Sequence, residues 1–600
     1  MSRPFWLKPP PFPGGLLAKA GPTPSRRVAG LRGPDGVLAD RSDLAAVALV
    51  FTVVAIMAFG TVGMFAPLSA IQDRPVSLNP LLLPGYALRT VLRMLAAMAA
   101  SLFFTLTYGT LAAKSRRAGV VLIPLLDILQ SVPVLGYLSF TVTFFLLLFP
   151  HRVLGAELAA IFAIFTSQAW NMAFSFFQAV RTVPRDLDEA SRGFRFSSWQ
   201  RFWRLEFPFA VPGLVWNMMM SMSGGWFFVV ASEAITVGDQ SIALPGIGSY
   251  VALAIQQKDM AATGWAILAM GLVILVYDQL LFRPLVVWAA SFRVEQTAAL
   301  TTPHSWFLQL LRHSRMIRLA ARPAVFGLRH LFRARLLNLI PARAPATVPS
   351  RTGRVLDVIW YGCVAVATAW IAGVIVRYVA TGVGWADVWL AFQLGMFTAL
   401  RVVILIALAT LIWVPIGVII GLRPKLAERA QPLAQFLAAF PANLLFPLFV
   451  VPIVRFHLNV DIWLSPLMIL GTQWYILFNV IAGTTAYPTD FLEAAKTFRL
   501  HGWQWWRCAL LPGIFPYYVT GAITASGGAW NASIVSEVAS WGPDHLAAHG
   551  LGAYIAQMTV AGDYPHIVLG IAMMSAVVVL FNRLLWRQLY AYGERHFRLD

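Results

Sequence analysis

Long apolar stretches, separated by short basic ones, run through this chain from residue 44 almost to its end. Six stretches of about twenty or more mainly apolar residues lie in the first half, at about 44–66, 88–113, 120–149, 154–179, 208–232 and 261–290. Six more lie in the second, at about 355–380, 394–421, 430–454, 461–485, 512–536 and 564–588. A helix needs roughly 20 apolar residues to cross a bilayer, and in lipid the backbone must satisfy its own polar groups within a helix or a closed barrel. The pattern therefore predicts an all-α polytopic membrane protein with about 12 transmembrane helices.

The polar positions between the stretches set an orientation. Loops that alternate to one side hold Lys114, Arg116 and Arg117, the stretch 181–206, then Arg423, Lys425 and Arg429, and finally Arg583, Arg587, Arg595 and Arg598. Loops on the other side retain scattered bases such as Arg74, Arg152, Lys258, Arg377 and Arg455, and 537–563 has neither Lys nor Arg. Cytoplasmic loops carry the excess of basic residues, so both termini are expected in the cytoplasm of a bacterial cell, with the chain in its inner membrane. Four regions follow: a Pro/Gly-rich cytosolic tail at 1–43, a first transmembrane domain at 44–290, an Arg-rich cytosolic linker at 291–354 and a second transmembrane domain at 355–600.

Composition narrows the function. The hydrophobic fraction is 58% and the charged fraction 12%, where a soluble chain carries roughly 25% charged residues. The net charge of +20 invites a nucleic-acid reading, but eleven arginines fall in the linker with one acid, Glu295, where a loop beside an anionic leaflet would hold them. No nucleic-acid motif accompanies the charge, so a lipid bilayer and no nucleic acid is the expected partner. Two cysteines, Cys363 and Cys508, support neither a disulfide framework nor a metal site. No metal-ligand spacing, catalytic set or phosphate-cradling glycine loop is legible, so no catalytic residue, cofactor or metal is expected in this chain.

The chain repeats itself at an offset of 304 residues. Pro184 meets Pro488, Glu189 meets Glu493, Phe194–Arg195 meet Phe498–Arg499, and Trp199–Gln200 meet Trp503–Gln504. Pro208 and Pro212 meet Pro512 and Pro516, and Ser232–Glu233 meet Ser536–Glu537. Gly246, Gly248 and Tyr250 meet Gly550, Gly552 and Tyr554. The repeat is in tandem and parallel, with the same elements in the same orientation in each half. Its best-matched part is an amphipathic interruption between the fourth and fifth spans, at 186–208 and 490–512. Each copy opens on acidic residues, which suit a helix N-terminus. Each is too polar to span, and reads either as an interfacial anchor or as a docking element duplicated for a two-fold partner.

These segments resemble the EAA loops of ABC-transporter permeases from binding-protein-dependent importers. Glu493, Ala494 and Ala495 with Leu511-Pro512 match the pattern, and Glu189, Ala190 and Ser191 with Phe207-Pro208 nearly match it. The family's glycine six residues after the Glu is Arg195 in one copy and Arg499 in the other, which bears on the turn between two short helices. Trp199, Trp503 and the Gly-x-Gly after each fifth span look like the nitrate/sulfonate/taurine branch. The resemblance covers about 88–290 and 394–590. It implies two fused type I permease domains that form the pathway of an ATP-driven importer for a small solute such as nitrate, a sulfonate or bicarbonate. It further implies two cytosolic ABC ATPase subunits that bind the ATP and dock on the loops, and an external or periplasmic substrate-binding protein.

Two other readings compete. A twelve-span secondary transporter would run on an ion gradient and would not need twin loops. A membrane-embedded enzyme would gather polar groups in one half, whereas here they are duplicated. Ionisable residues near spans are functional candidates by default: Glu233 and Glu537 at equivalent outer ends of the fifth spans, and Asp127 in the third, are candidates for the pathway or its gate. Gly224-Gly225-Trp226 and Gly527-Gly528 suit close helix–helix approach.

Overall fold

The apolar segments are helical almost throughout in the computed structural model. It describes residues 41–62, 75–132, 138–150, 152–237, 240–292, 305–333, 351–485 and 489–596, with isolated positions between them. Most of the tail, at 1–40, and the linker stretches 293–304 and 334–350 lie outside the described residues.

Eight helices among the described residues are long and apolar enough to cross a membrane, and a ninth crossing is formed if Lys425–Ala439 and Ala442–Arg455, bent by 80° at Phe440-Pro441, count as one. That is fewer than the twelve continuous spans expected. For the broken spans the physical reason is proline and glycine inside apolar runs, since proline removes a backbone donor and clashes with the preceding turn; the span expected at 44–66 is the continuous helix Arg41–Val62, whose first side chains lie outside the described residues. The expected span 120–149 is broken into Arg116–Ser131 and Leu138–Leu148. The expected span 461–485 is divided into Val460–Trp463, a tight turn over Ser465–Met468 that holds Pro466, and Trp474–Thr485. Apolar length alone did not reveal these breaks.

The repeat is a structural one. Short helices Arg185–Gly193 and Ser198–Arg201 have counterparts at Thr489–Thr497 and Gly502–Trp505. Single π-helical turns follow at Phe202–Glu206 and Trp506–Leu510 and lead into the fifth-span helices Phe207–Glu233 and Leu511–Ser536. Each fifth-span helix ends in a two-stranded antiparallel hairpin, β1 (Ala234–Val237) with β2 (Gln240–Ala243) and β3 (Val538–Trp541) with β4 (Asp544–Ala547).

The molecule divides into two units. One comprises Met1–Ala55, Val183–Val215 and Asp278–Pro341, the other Ile56–Thr182, Trp216–Tyr277 and Ala342–Asp600. In the first, Val211, Val215 and Ala289 form a small buried cluster with Phe207, Leu285 and Trp288 around it. The second holds the main core, in which Val134, Phe228, Val402, Ile476, Val519 and Trp530 from both halves pack together. Polar contacts also join the halves there: Val134 N–H donates to Asn531 Oδ1 at 2.9 Å, Asn443 Nδ2 donates to the Phe227 carbonyl at 3.1 Å, and Lys258 Nζ meets Asp544 at 2.9 Å.

Candidate functional site

The first loop copy starts with Asp186 and Asp188 in the opening turn of Arg185–Gly193, where carboxylates favour the helix N-terminus. Asp188 receives Arg192 at 2.9 Å and Arg201 at 2.5 Å, tying the two short helices together. Ser197 caps the second helix and pairs reciprocally with Gln200, so two N-terminal donors are satisfied at once. Between the helices Arg195 takes φ 51°, and in the second copy Arg499 takes φ 52°. The turn closes the same way in both: Arg195 N–H and Phe196 N–H donate to the Arg192 and Ser191 carbonyls, and Arg499 N–H and Leu500 N–H to those of Lys496 and Ala495. The arginines thus occupy the left-handed position that glycine takes without strain. Such a turn costs about 1–2 kcal/mol for each non-glycine residue there.

Glu189, Ala190, Glu493 and Ala494 are exposed, and Ser191 and Ala495, at equivalent positions, are buried beneath them. Pro208 and Pro512 are half-buried at the starts of the fifth-span helices. The tryptophans differ between copies. Trp199 donates its indole N–H to the Leu331 carbonyl at 2.8 Å, and Trp203 stacks on Phe332 with ring centroids 4.2 Å apart. The linker helix Arg315–Arg333 therefore rests on the first loop. Trp503, the counterpart of Trp199, is 71% exposed.

Glu233 and Glu537 each anchor a buried network inside their own half. Glu233 Oε1 accepts from Arg93 Nη1 and from Thr90 Oγ1, both at 2.7 Å, and Oε2 accepts from Gly248 N–H at 2.6 Å. Arg93 Nε and Nη2 donate to Glu157, at 2.5 and 2.7 Å, and all three charged side chains are 0–1% exposed. In the second half Glu537 Oε1 accepts from Thr398 at 2.8 Å and Arg401 at 3.1 Å, and Oε2 from Ala553 N–H at 3.1 Å. Arg401 also meets Asp461 at 2.7 Å. Asp461 in turn accepts from the backbone and the ring of His549. Burial pulls the Asp461 pKa upward, but the His549 hydrogen bonds and the Arg401 charge outweigh it and hold the carboxyl below its ordinary value.

The glycines after each hairpin explain how a carboxylate reaches these amides. A Cβ on Gly246 or Gly550 would overlap the Glu233 or Glu537 carboxyl, and one on Gly248 would strike the Val230 carbonyl. Glycine lets the acid sit on the N-terminus of the helices Ile247–Gln256 and Leu551–Ala561, where the helix dipole favours it. Glu233 and Glu537 thus bind the fifth span, the following helix and the helices Leu83–Lys114 and Trp385–Gly421 to one another.

A cavity of about 190 Å³ lies between the two halves of the second unit. Ser221, Ser223 and Trp170 line it from the first half, and Thr472, Tyr475 and Asn531 from the second. No Asp, Glu, Lys, Arg or His stands on its wall among the described residues, so Glu233 and Glu537 lie apart from it. The Ser223 and Tyr475 hydroxyls hydrogen-bond to each other across the halves. The glycine pairs divide their roles: Gly225 and Gly528 are pressed against Gln168, Met94 and Thr472, while Gly224 and Gly527 face open space on the cavity wall. Asp127 sits on the helix Arg116–Ser131, and its side chain lies outside the described residues.

Arg93, Arg401, Thr90, Thr398, Glu157 and Asp461 were not singled out in the sequence. A signal exists: Thr-x-x-Arg occurs at 90–93 and 398–401, offset by 308 rather than 304, so a single sliding offset passes over it. Glu157 and Asp461 do share the 304 offset, but differ in residue type.

Comparison with known proteins matches residues 105–282 and 413–595 to the family described as the binding-protein-dependent transport system inner membrane component. The chain is 29% identical over 178 residues to a bicarbonate transport system permease protein, CmpB, of Synechocystis sp., which is 30% of this chain and 60% of that protein. It is 24% identical over 184 residues to a nitrate import permease protein, NrtB, of Leptolyngbya laminosa, covering 31% and 62% of the two. It is 29% identical over 174 residues to the glycine betaine/proline betaine transport system permease protein ProW of Escherichia coli, covering 29% and 45%. These matches thus span about 60% of the CmpB and NrtB relatives.

Proposed function

Because this chain belongs to the family of inner-membrane components of binding-protein-dependent transport systems, with the family's domain present twice, we propose that it supplies both permease domains of one ATP-driven importer. Its cargo in this reading is a small anion such as bicarbonate or nitrate, the solutes in the names of the CmpB and NrtB relatives. The observation that carries the reading is the duplicated loop. Two exposed acidic short helices, closed by the same left-handed turn, each run directly into a fifth-span helix whose middle lines the cavity.

Two cytosolic ATPase subunits dock on these loops, one at Glu189, Ala190, Arg195 and Trp199, the other at Glu493, Ala494, Ala495, Arg499 and Trp503. Both termini lie on that cytoplasmic side, and an external binding protein delivers the solute to the opposite face. Closure of the ATPase pair moves each loop, and the continuous helix behind it carries the displacement to Ser221–Gly224 or to Gly527–Asn531. The glutamate networks clamp the outer ends of the same helices, so that each half moves as a body and the cavity walls part between halves. Glu233 and Glu537 serve as gate supports in this scheme, since hydrogen-bonded carboxylates of that depth hold helices together more effectively than they line a path. Hydrolysis belongs to the partner subunits.

Proteoliposomes carrying the chain, its ATPase partners and its binding protein test the proposal. Labelled bicarbonate or nitrate should accumulate only with ATP, and the chain alone should not hydrolyse ATP. Accumulation driven by an ion gradient without ATP would overturn the importer reading.

A further inference from the structure

Three polar groups on the cavity wall have no hydrogen-bond partner in the protein: the Ser221 hydroxyl, the Thr472 hydroxyl and the Trp170 indole N–H. Ser221 is 4% exposed, so its hydroxyl is not turned to bulk solvent. Buried polar groups are nearly always paired, and five neighbouring polar side chains on the wall do follow that rule. Ser167 donates to the Ile164 carbonyl, Thr166 to those of Phe162 and Ala163, and Thr524 to that of Thr520. Ser223 is taken by Met220 and Tyr475, and Asn531 by Val134 and Gly527. The unpaired groups are therefore a specific subset, drawn from both halves.

Their chemistry selects a ligand class. An indole N–H donates and never accepts, and each hydroxyl has a proton to donate. What completes the set is a group rich in acceptor oxygens. Among the described residues the wall supplies no carboxylate for a cationic solute, and no lysine or arginine for a permanent ion pair. A volume of about 190 Å³ admits a small solute with several waters, since about 10–15 Å³ suffices for one water. Neutral donors also suit a pathway: binding must be favourable enough to enter and weak enough to leave.

We propose that Ser221, Thr472 and Trp170 form a donor-lined transit site for a small oxyanion in the central cavity. The proposal rests on the permease reading and deepens it, because it places substrate selection in the membrane as well as in the binding protein. The repeat supports the same division of labour. The equivalents of Ser221 and Thr472 are Ala525 and Gln168, so the two-fold scaffold carries an asymmetric lining.

The test uses the full chain in lipid nanodiscs with its tryptophans replaced by 5-fluorotryptophan, and the Trp170 fluorine resonance assigned with Trp170→Phe. Sodium nitrate and sodium bicarbonate, titrated against sodium gluconate at equal ionic strength, should shift that resonance saturably. Ser221→Ala and Thr472→Val should each weaken the apparent affinity at least fivefold, and together more. Binding of the ATPase partners by the same samples reports separately on the loops, so a failure of the transit site and a failure of the importer reading give different results. A Trp170 resonance in the unsubstituted chain that neither anion moves would overturn the proposal and leave the groups hydrated only. A shift produced by choline chloride but by neither oxyanion would overturn the ligand class, and unchanged affinities in folded variants would overturn the residue assignment.

Discussion

Replacing Arg93 with methionine should destabilise the folded chain by about 3–5 kcal/mol, the usual cost of breaking a buried ion pair by removing one partner. The substitution strands Glu157 and Glu233, both essentially without solvent exposure, and leaves Thr90 and Gly248 N–H to carry the Glu233 charge alone. The equivalent Arg401→Met should cost less, about 1–3 kcal/mol, the range for a buried group that loses its partner. Arg401 is 12% exposed, Asp461 is 39% exposed, and Asp461 keeps the His549 backbone and ring. Thermal unfolding of the purified chain in nanodiscs separates the two variants. Neutralising the stranded acids, as in Arg93→Met with Glu157→Gln and Glu233→Gln, should recover much of the loss. Equal destabilisation by the two single substitutions would show that the networks do not differ in burial as described.

The Glu189→Lys, Glu493→Lys double variant should fold and insert normally yet lose its ATPase partners. Each glutamate lies exposed past the first turn of its short helix, where its interaction with the N-terminal end falls below the roughly 0.3–1 kcal/mol of a first-turn carboxylate. Desolvated at an interface against a basic group, the same charge is worth roughly 2–5 kcal/mol, a fall in affinity of about 30-fold to several thousandfold. The single variants should be unequal. The second copy matches the loop pattern more fully, and its Trp503 is open, whereas the linker helix already occupies Trp199 and Trp203 of the first. Glu493→Lys should therefore be the more damaging. Pull-down of the ATPase by each variant, with circular dichroism to check the fold, gives the comparison. Normal recruitment and uptake by the double variant would reduce the loops to membrane anchors.

Sequence reasoning reached the architecture because its strongest signals are local. Apolar length marks helices, and the 304-residue repeat fixes two like halves. It reached the loops because their acids, aromatics and prolines recur in register. It stopped where meaning depends on contacts distant in sequence. Arg93 reads as a stray charge near the start of a span until Glu157 and Glu233, 64 and 140 residues away, are placed beside it. The arginines at 195 and 499 leave the turn undetermined in sequence, whereas the backbone shows a left-handed turn at both. The linker reads as an Arg-rich cytosolic segment, and nothing in its composition reveals that Leu331 and Phe332 meet Trp199 and Trp203. The cavity is least legible of all, because its walls are ordinary serine, threonine and aromatic positions on helices from both halves.

The claim on which all of this depends is that one chain supplies both permease domains for one pathway. Native mass measurement of the assembled transporter decides it. One 66.1 kDa chain with two ATPase subunits is the predicted composition; two copies of the chain for each ATPase pair would contradict it.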